Sequence, residues 1–193
     1  MNAPSDRDLM DRARARDPHA FGELVRRFQP RVHRLALHLV RDHADAEDVA
    51  QETFIRAYRA MDRFDGRSEP FTWIYRIAVN LSLNVLRARK SARVRNDAGD
   101  PRLEEIGERT AGSGPNPDEQ AIDRQYFQAL AEGIDGLSES LRTTLILVLV
   151  DGVSHEDASA VLGAPVGTIA WRVHEARRKL KEFLKTRGID SDA

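Results

Sequence analysis

The chain has 193 residues and a formal net charge of −1 at pH 7, with 41% hydrophobic and 32% charged residues, enough for one ordinary domain or two small ones. The absence of cysteine excludes disulfides, thiolate metal sites and cysteine nucleophiles, and it fits a reducing cytoplasm. No apolar run reaches the roughly 20 residues of a membrane-spanning helix, and the polar N-terminus lacks the apolar stretch of a signal peptide, so a soluble cytoplasmic protein without direct membrane insertion is expected.

Charge is distributed unevenly along the chain. Residues 66–95 and 165–187 are strongly basic, whereas the segment between them is acidic and dense in Gly, Pro, Ser and Asn, which is a linker composition. Abundant Ala, Leu, Arg and Glu favour helix, although the composition alone would also suit an α/β fold. We expect an all-α protein with two small helical modules, at 1–95 and 119–187. A flexible acidic linker at 96–118 joins them, and a short tail follows at 188–193.

The first module begins with two helices. Asp17 before Pro18 is a helix cap followed by proline at the first helical position, and Pro30 is expected to bend or interrupt the helix that follows. A second helix starts at "DAEDV", where Asp45 is the expected cap. Apolar residues at helical spacing predict the buried faces as Phe21, Leu24, Val25, Phe28, Val32, Leu35, Ala36 and Leu39, then Ala46, Val49, Ala50, Thr53, Phe54, Ala57, Tyr58 and Met61.

The helix "PFTWIYRIAVNLSLNVLRARK" carries more than a buried face needs. Its apolar stripe is Phe71, Ile74, Ala78, Leu81 and Val85, which leaves Trp73, Arg76, Asn80, Asn84 and Arg87 outside it. Asn side chains suit base edges, Arg suits phosphates, and aromatic rings stack on single-stranded bases. The alternative is that the asparagines are merely solvated and the tryptophan fills a gap in the core.

The second module begins near Pro117 and contains a pattern with two interpretations. Ser138 can cap "ESLRTTLILVLVDG", whose β-branched run would also suit a buried strand, but Leu141, Leu145, Val148 and Leu149 hold helical spacing. Further on, Ser154 and Asp157 resemble a capping box, Gly163 ends a short helix, and a longer one begins at Pro165 or Val166.

Two helices joined by a tight glycine turn suggest a helix-turn-helix. On the second of them the buried seam is Val166, Ile169, Val173, Ala176, Leu180 and Leu184. The residues left facing outward, in the position of a DNA recognition helix, are Thr168, Trp171, Arg172, Glu175, Arg178 and Lys179. The alternative is a basic helical hairpin that binds protein or RNA.

Enzymatic function and cofactor binding are not expected. The segment "SHEDAS" is not the His-Glu-x-x-His zinc pattern, and no Gly-rich phosphate loop is present. A structural adaptor would not need two basic faces. The main alternative function is that of a stand-alone helix-turn-helix regulator that binds duplex DNA unaided.

The chain resembles an extracytoplasmic-function (ECF) sigma factor of bacterial RNA polymerase, in the sigma-70 family. "DAEDVAQETFIRAYRAMDRFDGRSEPFTWIYRIAVNLSLNVLRARK" resembles region two of that family, and "GVSHEDASAVLGAPVGTIAWRVHEARRKL" resembles region four. The resemblance implies a non-catalytic transcription initiation subunit that binds core RNA polymerase, directs it to promoter DNA, helps to open the minus-ten element and is controlled by an anti-sigma factor, often in a stress response.

The resemblance also implies roles for particular residues. An acidic helix would dock on the polymerase through Asp45, Asp48, Gln51, Glu52 and Arg56. The minus-ten DNA would meet Phe64, Arg67, Ser68, Trp73, Arg76, Asn80, Asn84 and Arg87. The minus-thirty-five DNA would meet the six outward residues of the recognition helix, and the acidic linker would thread into polymerase channels that otherwise hold nucleic acid.

Region four departs from the family pattern at positions expected to touch DNA. Ala170 and Trp171 stand where relatives usually carry a basic residue and then serine, and Glu175 stands where many carry a cation. Because a carboxylate beside phosphate is unfavourable, we expect weak or unusual minus-thirty-five recognition. Ala158 stands where a larger aliphatic residue is common, and we expect looser packing of the first helix of the motif.

Overall fold

A computed structural model of the protein describes the backbone of residues 3–96 and 117–189, with side chains from 3–92 and 125–189. All regular elements in these ranges are helical, which confirms the all-α prediction with its two helical regions. The first module contains α1 (Asp6–Arg14), α2 (Pro18–Val40), α3 (His43–Ala60), a short 3₁₀ helix (Met61–Arg63) and α4 (Pro70–Asn96). The second contains α5 (Pro117–Asp135), α6 (Glu139–Leu145), a π-helical turn (Ile146–Val150), α7 (His155–Leu162) and α8 (Val166–Thr186). Most of the predicted linker and of the predicted tail lies outside the described residues.

Polar side chains cap the first-module helices, with one correction to the sequence prediction. The carboxylate of Asp17 accepts hydrogen bonds from the backbone N–H groups of His19 (3.0 Å) and Ala20 (3.3 Å), as expected. Helix α3, however, begins one turn earlier than predicted, because Asp42 is its cap and accepts from the N–H of Asp45 at 2.9 Å. Asp45 therefore lies inside the first turn of α3, where its charge still complements the helix dipole.

Helix α2 continues through Pro30, so the predicted interruption is wrong, while the alternative of a bend stays a prediction. Proline removes one backbone donor from the helix interior and disfavours it locally. Buried apolar side chains lie on both sides of this point, including Leu24, Phe28, Val32 and Leu35. Their burial stabilises the helix by more than the missing hydrogen bond costs, since each fully buried aliphatic or aromatic side chain is worth about 1.5–3 kcal/mol.

The first-module core lies where α2, α3 and α4 meet. The predicted stripes of α2 and α3 are buried except Val25, which is half-buried, and Tyr58, which is exposed. On α4, Ile74, Ala78 and Leu81 are buried, and Tyr75 lies beside them with no exposed surface. The Tyr75 hydroxyl donates to the carbonyl of Arg31 at 3.3 Å, and burial raises the pKa of this phenol to about 12.

The ambiguous run in the second module is helical and not a strand, but its register changes partway. Helix α6 buries Leu141 and Leu145, and the π-helical turn then adds one residue per turn, which rotates the following side chains. Ile146 and Leu147 consequently enter the core, whereas Leu149 is exposed, contrary to the predicted spacing. Ser138 stands at the predicted cap position but forms no side-chain capping bond.

The helix-turn-helix has the predicted boundaries. The Ser154 hydroxyl accepts from the N–H of Asp157 at 3.0 Å, which caps α7. Gly163 ends α7 with a φ of 63°, a left-handed conformation that glycine adopts without strain. Helix α8 then starts at Val166, and its predicted seam is buried except for Val166 itself. Ala158 is fully buried, and the looser packing expected from its small side chain stays a prediction.

The two modules pack against each other. One continuous cluster of buried apolar residues joins the first module to α7, α8 and the π-helical turn through Ile146, Leu147, Val153, Ala158, Val161 and Ile169. Helix α7 lies against α4, where Thr72 and Val79 are buried although both fall outside the predicted apolar stripe. The sequence pattern of α4 alone therefore underestimates how much of its surface is covered.

The proline inside α2 provides a test of the balance between local propensity and core burial. We expect Pro30→Ala to raise the free energy of unfolding by about 1–3 kcal/mol, because alanine restores the missing donor and is favoured in helices. Gly22→Ala is the matched control in the same helix: an added Cβ meets no atom within 4 Å, and the expected gain is about 1 kcal/mol. Chemical denaturation measures both variants, and a loss of stability in Pro30→Ala alone would contradict the explanation.

Candidate partner and nucleic-acid interfaces

An open groove runs between α2 and α3 on the surface of the first module. Its walls include Phe21, Val25, Ala50 and Phe54, and its rim carries Gln29, Pro30, His33, Glu47, Gln51, Ile55, Tyr58 and Arg59. Ile55 and Tyr58 are 36% and 47% exposed, and the Tyr58 ring meets the Phe21 ring edge-on with centroids 5.1 Å apart. Large apolar side chains exposed together beside polar rims mark surfaces that bind a partner.

The residues predicted for polymerase docking lie on α3 but do not form one set. Gln51 lines the groove, and Asp48 is exposed. Glu52 accepts a hydrogen bond from Arg56 at 2.6 Å, so these two side chains form a surface ion pair along the helix. Asp45 faces away from the groove toward α4, where it forms an ion pair with Arg89.

The loop before α4 presents a mixture of buried and exposed side chains. Phe64 is buried and packs edge-on against Trp73, with ring centroids 5.6 Å apart, so this contact helps to fix the position of the tryptophan ring. Arg67 is highly exposed, and its backbone N–H donates to the Asp65 carboxylate at 3.0 Å in a tight turn. Ser68 is half-buried in the same turn. The role of Phe64 in holding a base stays a prediction. Its ring is buried, so it has no exposed face in this structure.

The polar residues of α4 divide into two groups. Asn80 and Asn84 are exposed and one helical turn apart. Arg76 and Arg87 instead contact the second module: the Arg76 Nε–H donates to the Ala160 carbonyl at 3.0 Å, and Arg87 pairs with Glu139 at 2.8 Å. Five of the eight predicted minus-ten residues thus lie on α4, where Arg76 and Arg87 are engaged by groups of the second module, whereas Phe64, Arg67 and Ser68 lie in the loop before it.

Helix α8 presents its predicted outward residues along one surface. Trp171 is 60% exposed, Thr168, Arg172 and Glu175 are half-buried, and Arg178 and Lys179 are exposed. An exposed tryptophan beside cations fits an interface, since its ring offers apolar area and a hydrogen-bond donor together.

Glu175 and Arg178 neutralise each other on α8. Arg178 donates two hydrogen bonds to Glu175, at 2.8 and 2.7 Å, and a third to Glu182 at 2.6 Å. The hydrogen bond from Arg178 lowers the pKa of the Glu175 carboxyl below its usual value, so this group is ionised at neutral pH. Arg178 is therefore surrounded by carboxylates, and one predicted phosphate contact is already occupied within the helix.

Two further features bear on the class of protein. In residues 3–96 and 117–189, no helix is both long and apolar enough to cross a membrane. Within the same ranges, His, Asp and Glu side chains form no group of three or more that could hold a metal ion.

Sequence reasoning missed the apolar side of the groove. Tyr58 was assigned to the core, and Ile55 carried no motif. The available signal was position: Ala50, Phe54 and Ala57 already complete the buried stripe of α3, which leaves Ile55 and Tyr58 one turn apart on a separate face.

An exposed pair of asparagines on one module and a helix-turn-helix on the other are typical of all-helical DNA-binding proteins. The description "Sigma-70 region 2" matches residues 24–92, and "Sigma-70, region 4" matches residues 127–180. The chain belongs to the sigma-70 family. It is a transcription initiation factor and not an enzyme or a stand-alone DNA-binding regulator.

Relatives of known kind cover nearly the whole chain. The RNA polymerase sigma-H factor of Pseudomonas aeruginosa is 36% identical over 189 residues, covering 93% of this chain and 94% of the relative. The ECF RNA polymerase sigma-E factor of Escherichia coli (strain K12) is 36% identical over 185 residues, covering 91% and 92%. These matches confirm the resemblance to ECF sigma factors.

Two solved structures have the same fold. CnrH, solved in complex with the cytosolic domain of CnrY, matches with a TM-score of 0.69 and 27% identity, covering 95% of this chain and 99% of that chain. The sigma factor RpoE from Bartonella quintana, solved with the anti-sigma factor NepR, matches with a TM-score of 0.67 and 28% identity, covering 86% and 96%.

Removal of the Glu175 charge tests whether Arg178 is withheld from DNA. We expect Glu175→Gln to raise the affinity of the full chain for an unselected DNA duplex and to steepen the slope of log K against log salt by about one, since one more cation reaches a phosphate. Glu132→Gln is the control, because Glu132 pairs with Arg187 at 2.8 Å at the far end of α8. Fluorescence anisotropy at several salt concentrations measures both variants. An unchanged slope in Glu175→Gln contradicts the interpretation.

Proposed function

We propose that the protein docks on core RNA polymerase through the groove between α2 and α3 and brings α4 and α8 to the two elements of a promoter. The observation that carries this proposal is the exposed pair Ile55 and Tyr58 beside the charged surface of α3, on a chain of the sigma-70 family. We propose the cytoplasm as its location and 1–95 and 119–187 as its working modules, joined by the linker at 96–118.

Docking would combine apolar burial with charge complementarity. Burial of Ile55 and Tyr58 supplies the affinity, because exposed aromatic and branched side chains dominate interface energies when water is excluded. Asp48, Gln51, Glu52 and Arg56 would form the polar rim and fix the orientation against a basic partner surface. Asp45 would act indirectly, since its ion pair with Arg89 joins α3 to α4.

Minus-ten recognition would use the exposed side of α4 and the loop before it. Asn80 and Asn84 offer amide donors and acceptors for base edges, and Arg67, Arg76 and Arg87 offer charge for the backbone. Trp73, supported by the buried Phe64, would stack at the junction where the duplex opens, with Ser68 in the adjoining turn. Unpairing a base costs a few kcal/mol, which stacking and backbone contacts must recover.

Minus-thirty-five recognition would use α8, with a reduced electrostatic contribution. Thr168, Trp171, Arg172 and Lys179 remain as candidate contacts, while Glu175 holds Arg178. We also propose that an anti-sigma factor controls the protein in a stress response, since the two solved relatives were captured with CnrY and with the anti-sigma factor NepR.

Transcription in vitro tests the proposal directly. Core polymerase on a linear template is expected to initiate at new, discrete start sites when the protein is added, and not without it. The start sites are mapped after expression of the protein and then transcribed with purified components. An absence of both polymerase binding and redirected initiation would refute the proposal, whereas duplex binding without polymerase would favour a stand-alone regulator.

The groove is tested by shortening its exposed aromatic residue. We expect Tyr58→Ala to weaken association with core polymerase about tenfold or more, because a central aromatic of an interface is worth about 2 kcal/mol or more. Arg26→Ala is the control, an exposed position of α2 outside the groove. Surface plasmon resonance with immobilised core polymerase measures both, and circular dichroism checks the fold. Equal affinities for Tyr58→Ala and the unmodified chain would rule out this groove.

A further inference from the structure

Helix α1 carries none of the residues predicted to meet polymerase or DNA, yet it packs beside a segment that holds several of them. Its buried side chains Leu9 and Met10 belong to the same apolar cluster as Met61 and Phe64. The helix contacts both the 3₁₀ helix and α4. Helix α1 thus lies beside the loop 64–69 that joins those two elements, called the minus-ten loop because three of its residues are proposed to meet that DNA.

The start of α1 is held by hydrogen bonds to its own cap and to α2. The Ser5 hydroxyl accepts from the N–H of Asp8, and the Ser5 N–H donates to the Asp8 carboxylate, each at 3.1 Å. These two bonds form a capping box. Arg27 of α2 donates to the Asp6 carboxylate at 2.7 Å and to the Pro4 carbonyl at 3.0 Å. A helix fixed in this way can restrain a neighbouring loop through its side chains.

Two ion pairs connect the α1 region to the two ends of the minus-ten loop. At the end next to α4, the Nε and Nη2 groups of Arg7 both donate to Oε1 of Glu69, at 2.9 and 2.7 Å. At the other end, Arg16 donates to the Asp62 carboxylate at 3.0 Å, and Asp62 lies in the 3₁₀ helix. The loop is therefore restrained on both sides by cations of α1 and of the turn that follows it.

The turn after α1 places Arg16 for its contact. Arg16 has a φ of 70°, a left-handed conformation that is uncommon for residues other than glycine. Arg12 stabilises the turn, since its guanidinium donates to the Asp17 carboxylate at 3.1 and 2.7 Å. The chain thus adopts an uncommon backbone conformation at the residue whose side chain reaches Asp62.

Global stability does not account for these two ion pairs. More than half of each of the four side chains is exposed, and exposed pairs contribute little to the free energy of unfolding. Their effect on a loop is different, because a segment without regular secondary structure opens locally at a low cost in free energy. The apparent affinity of a site falls in proportion to the fraction of molecules in the binding conformation. Modest restraints at both ends therefore affect chiefly what the loop binds.

We propose that Arg7 and Arg16 are positioning residues that keep the minus-ten loop in the conformation that receives a minus-ten base. This inference rests on the proposed function of the loop. The restraint extends to the aromatic pair beside the loop, since the Trp73 N–H donates to the Glu69 carbonyl at 3.1 Å and the Trp73 ring packs on Phe64. Without the ion pairs, the loop would accept more than one base geometry, and discrimination among minus-ten sequences would fall.

Exchange of the two charges tests the Arg7–Glu69 pair. The variants are Arg7→Glu, Glu69→Arg and the chain that carries both, each assayed as the full protein with core polymerase. The readout is the ratio of initiation on the promoter mapped for the unmodified protein to initiation on the same promoter with a minus-ten base changed. We expect each single reversal to lower this ratio about three- to tenfold, because an attraction becomes a repulsion, and the double exchange to restore it to within about twofold.

Arg14→Glu is the matched control for these reversals. Arg14 is an exposed cation of the same helix, and it pairs with Asp11 within α1 at 3.7 Å, so its reversal should leave the ratio unchanged. Polymerase affinity, measured by surface plasmon resonance, should be unchanged in every variant. An equal loss of initiation on both promoters would mean that the Arg7–Glu69 pair serves folding alone, and it would overturn the inference. So would a double exchange that is no better than the worse single variant.

The Arg16–Asp62 pair gives an independent measurement. Asp62→Asn removes the carboxylate charge and leaves the unusual backbone of Arg16 intact. We expect this variant to lower the discrimination ratio about two- to fivefold, and its effect to multiply with that of Arg7→Gln, because the two pairs restrain opposite ends of the loop. An unchanged ratio in Asp62→Asn would refute the role of Arg16.

The results separate this inference from the proposed function. If the unmodified protein redirects initiation and discriminates among minus-ten bases, but the reversals leave the ratio unchanged, the positioning role is wrong and the proposed function stands. If the unmodified protein binds polymerase but shows no preference for any minus-ten base, the proposed role of the loop fails, and the positioning role fails with it.

Discussion

The rest of the structure depends on how the surface of helix α4 is shared. This helix packs on the first-module core and contacts the second module, and it is also proposed to bind DNA. One surface completes the first-module core through Ile74, Tyr75 and Ala78, and this burial fixes the helix in place. The rest of its surface contacts the second module through Thr72, Arg76 and Arg87 and is also the surface proposed to meet DNA. The buried contacts of Val79 and of Thr72, whose hydroxyl donates to Asp157, exclude water, whereas base and phosphate contacts require access. Contact with the second module and the proposed contact with DNA therefore involve neighbouring surfaces of one helix.

Internal pairing explains how a chain of net charge −1 can carry nucleic-acid-binding faces. Arg76 and Arg87 on α4 and Arg178 on α8 each donate to an oxygen of the same chain. Exposed ion pairs are nearly neutral in free energy, so exchanging a carboxylate for a phosphate costs little. Phosphate binding additionally releases condensed counterions, which an internal pair does not. In the proposed function, these cations would exchange their internal oxygen partners for phosphate oxygens.

Local chemistry made much of the fold predictable, and long-range packing set the limit. Asp17, Ser154 and Gly163 correctly predicted helix ends, because each caps the backbone. Apolar residues at helical spacing identified most of the core. The interruption predicted at Pro30 is wrong, because burial of apolar side chains in the core outweighs the low helix propensity of proline. The exposure of Leu149 depends on a π-helical turn that no sequence spacing marks. The candidate DNA surfaces were found from residue type, whereas the pairing of Arg76 and Arg87 required knowing where the second module lies.

The contacts between the modules leave the two proposed binding surfaces of the first module unequally accessible. The groove on α2 and α3 is accessible while the modules are together, but the side of α4 that faces α7 is not. A partner can therefore cover the groove without separating the modules, whereas contact with the α7-facing side of α4 requires their separation. The Asp151 side chain is buried at this contact without a hydrogen-bond partner among the described residues, and Arg34 lies 3.5 Å from it, so this part of the contact contributes little stability. A hydrogen-bond partner for this carboxylate would hold the two modules together more firmly.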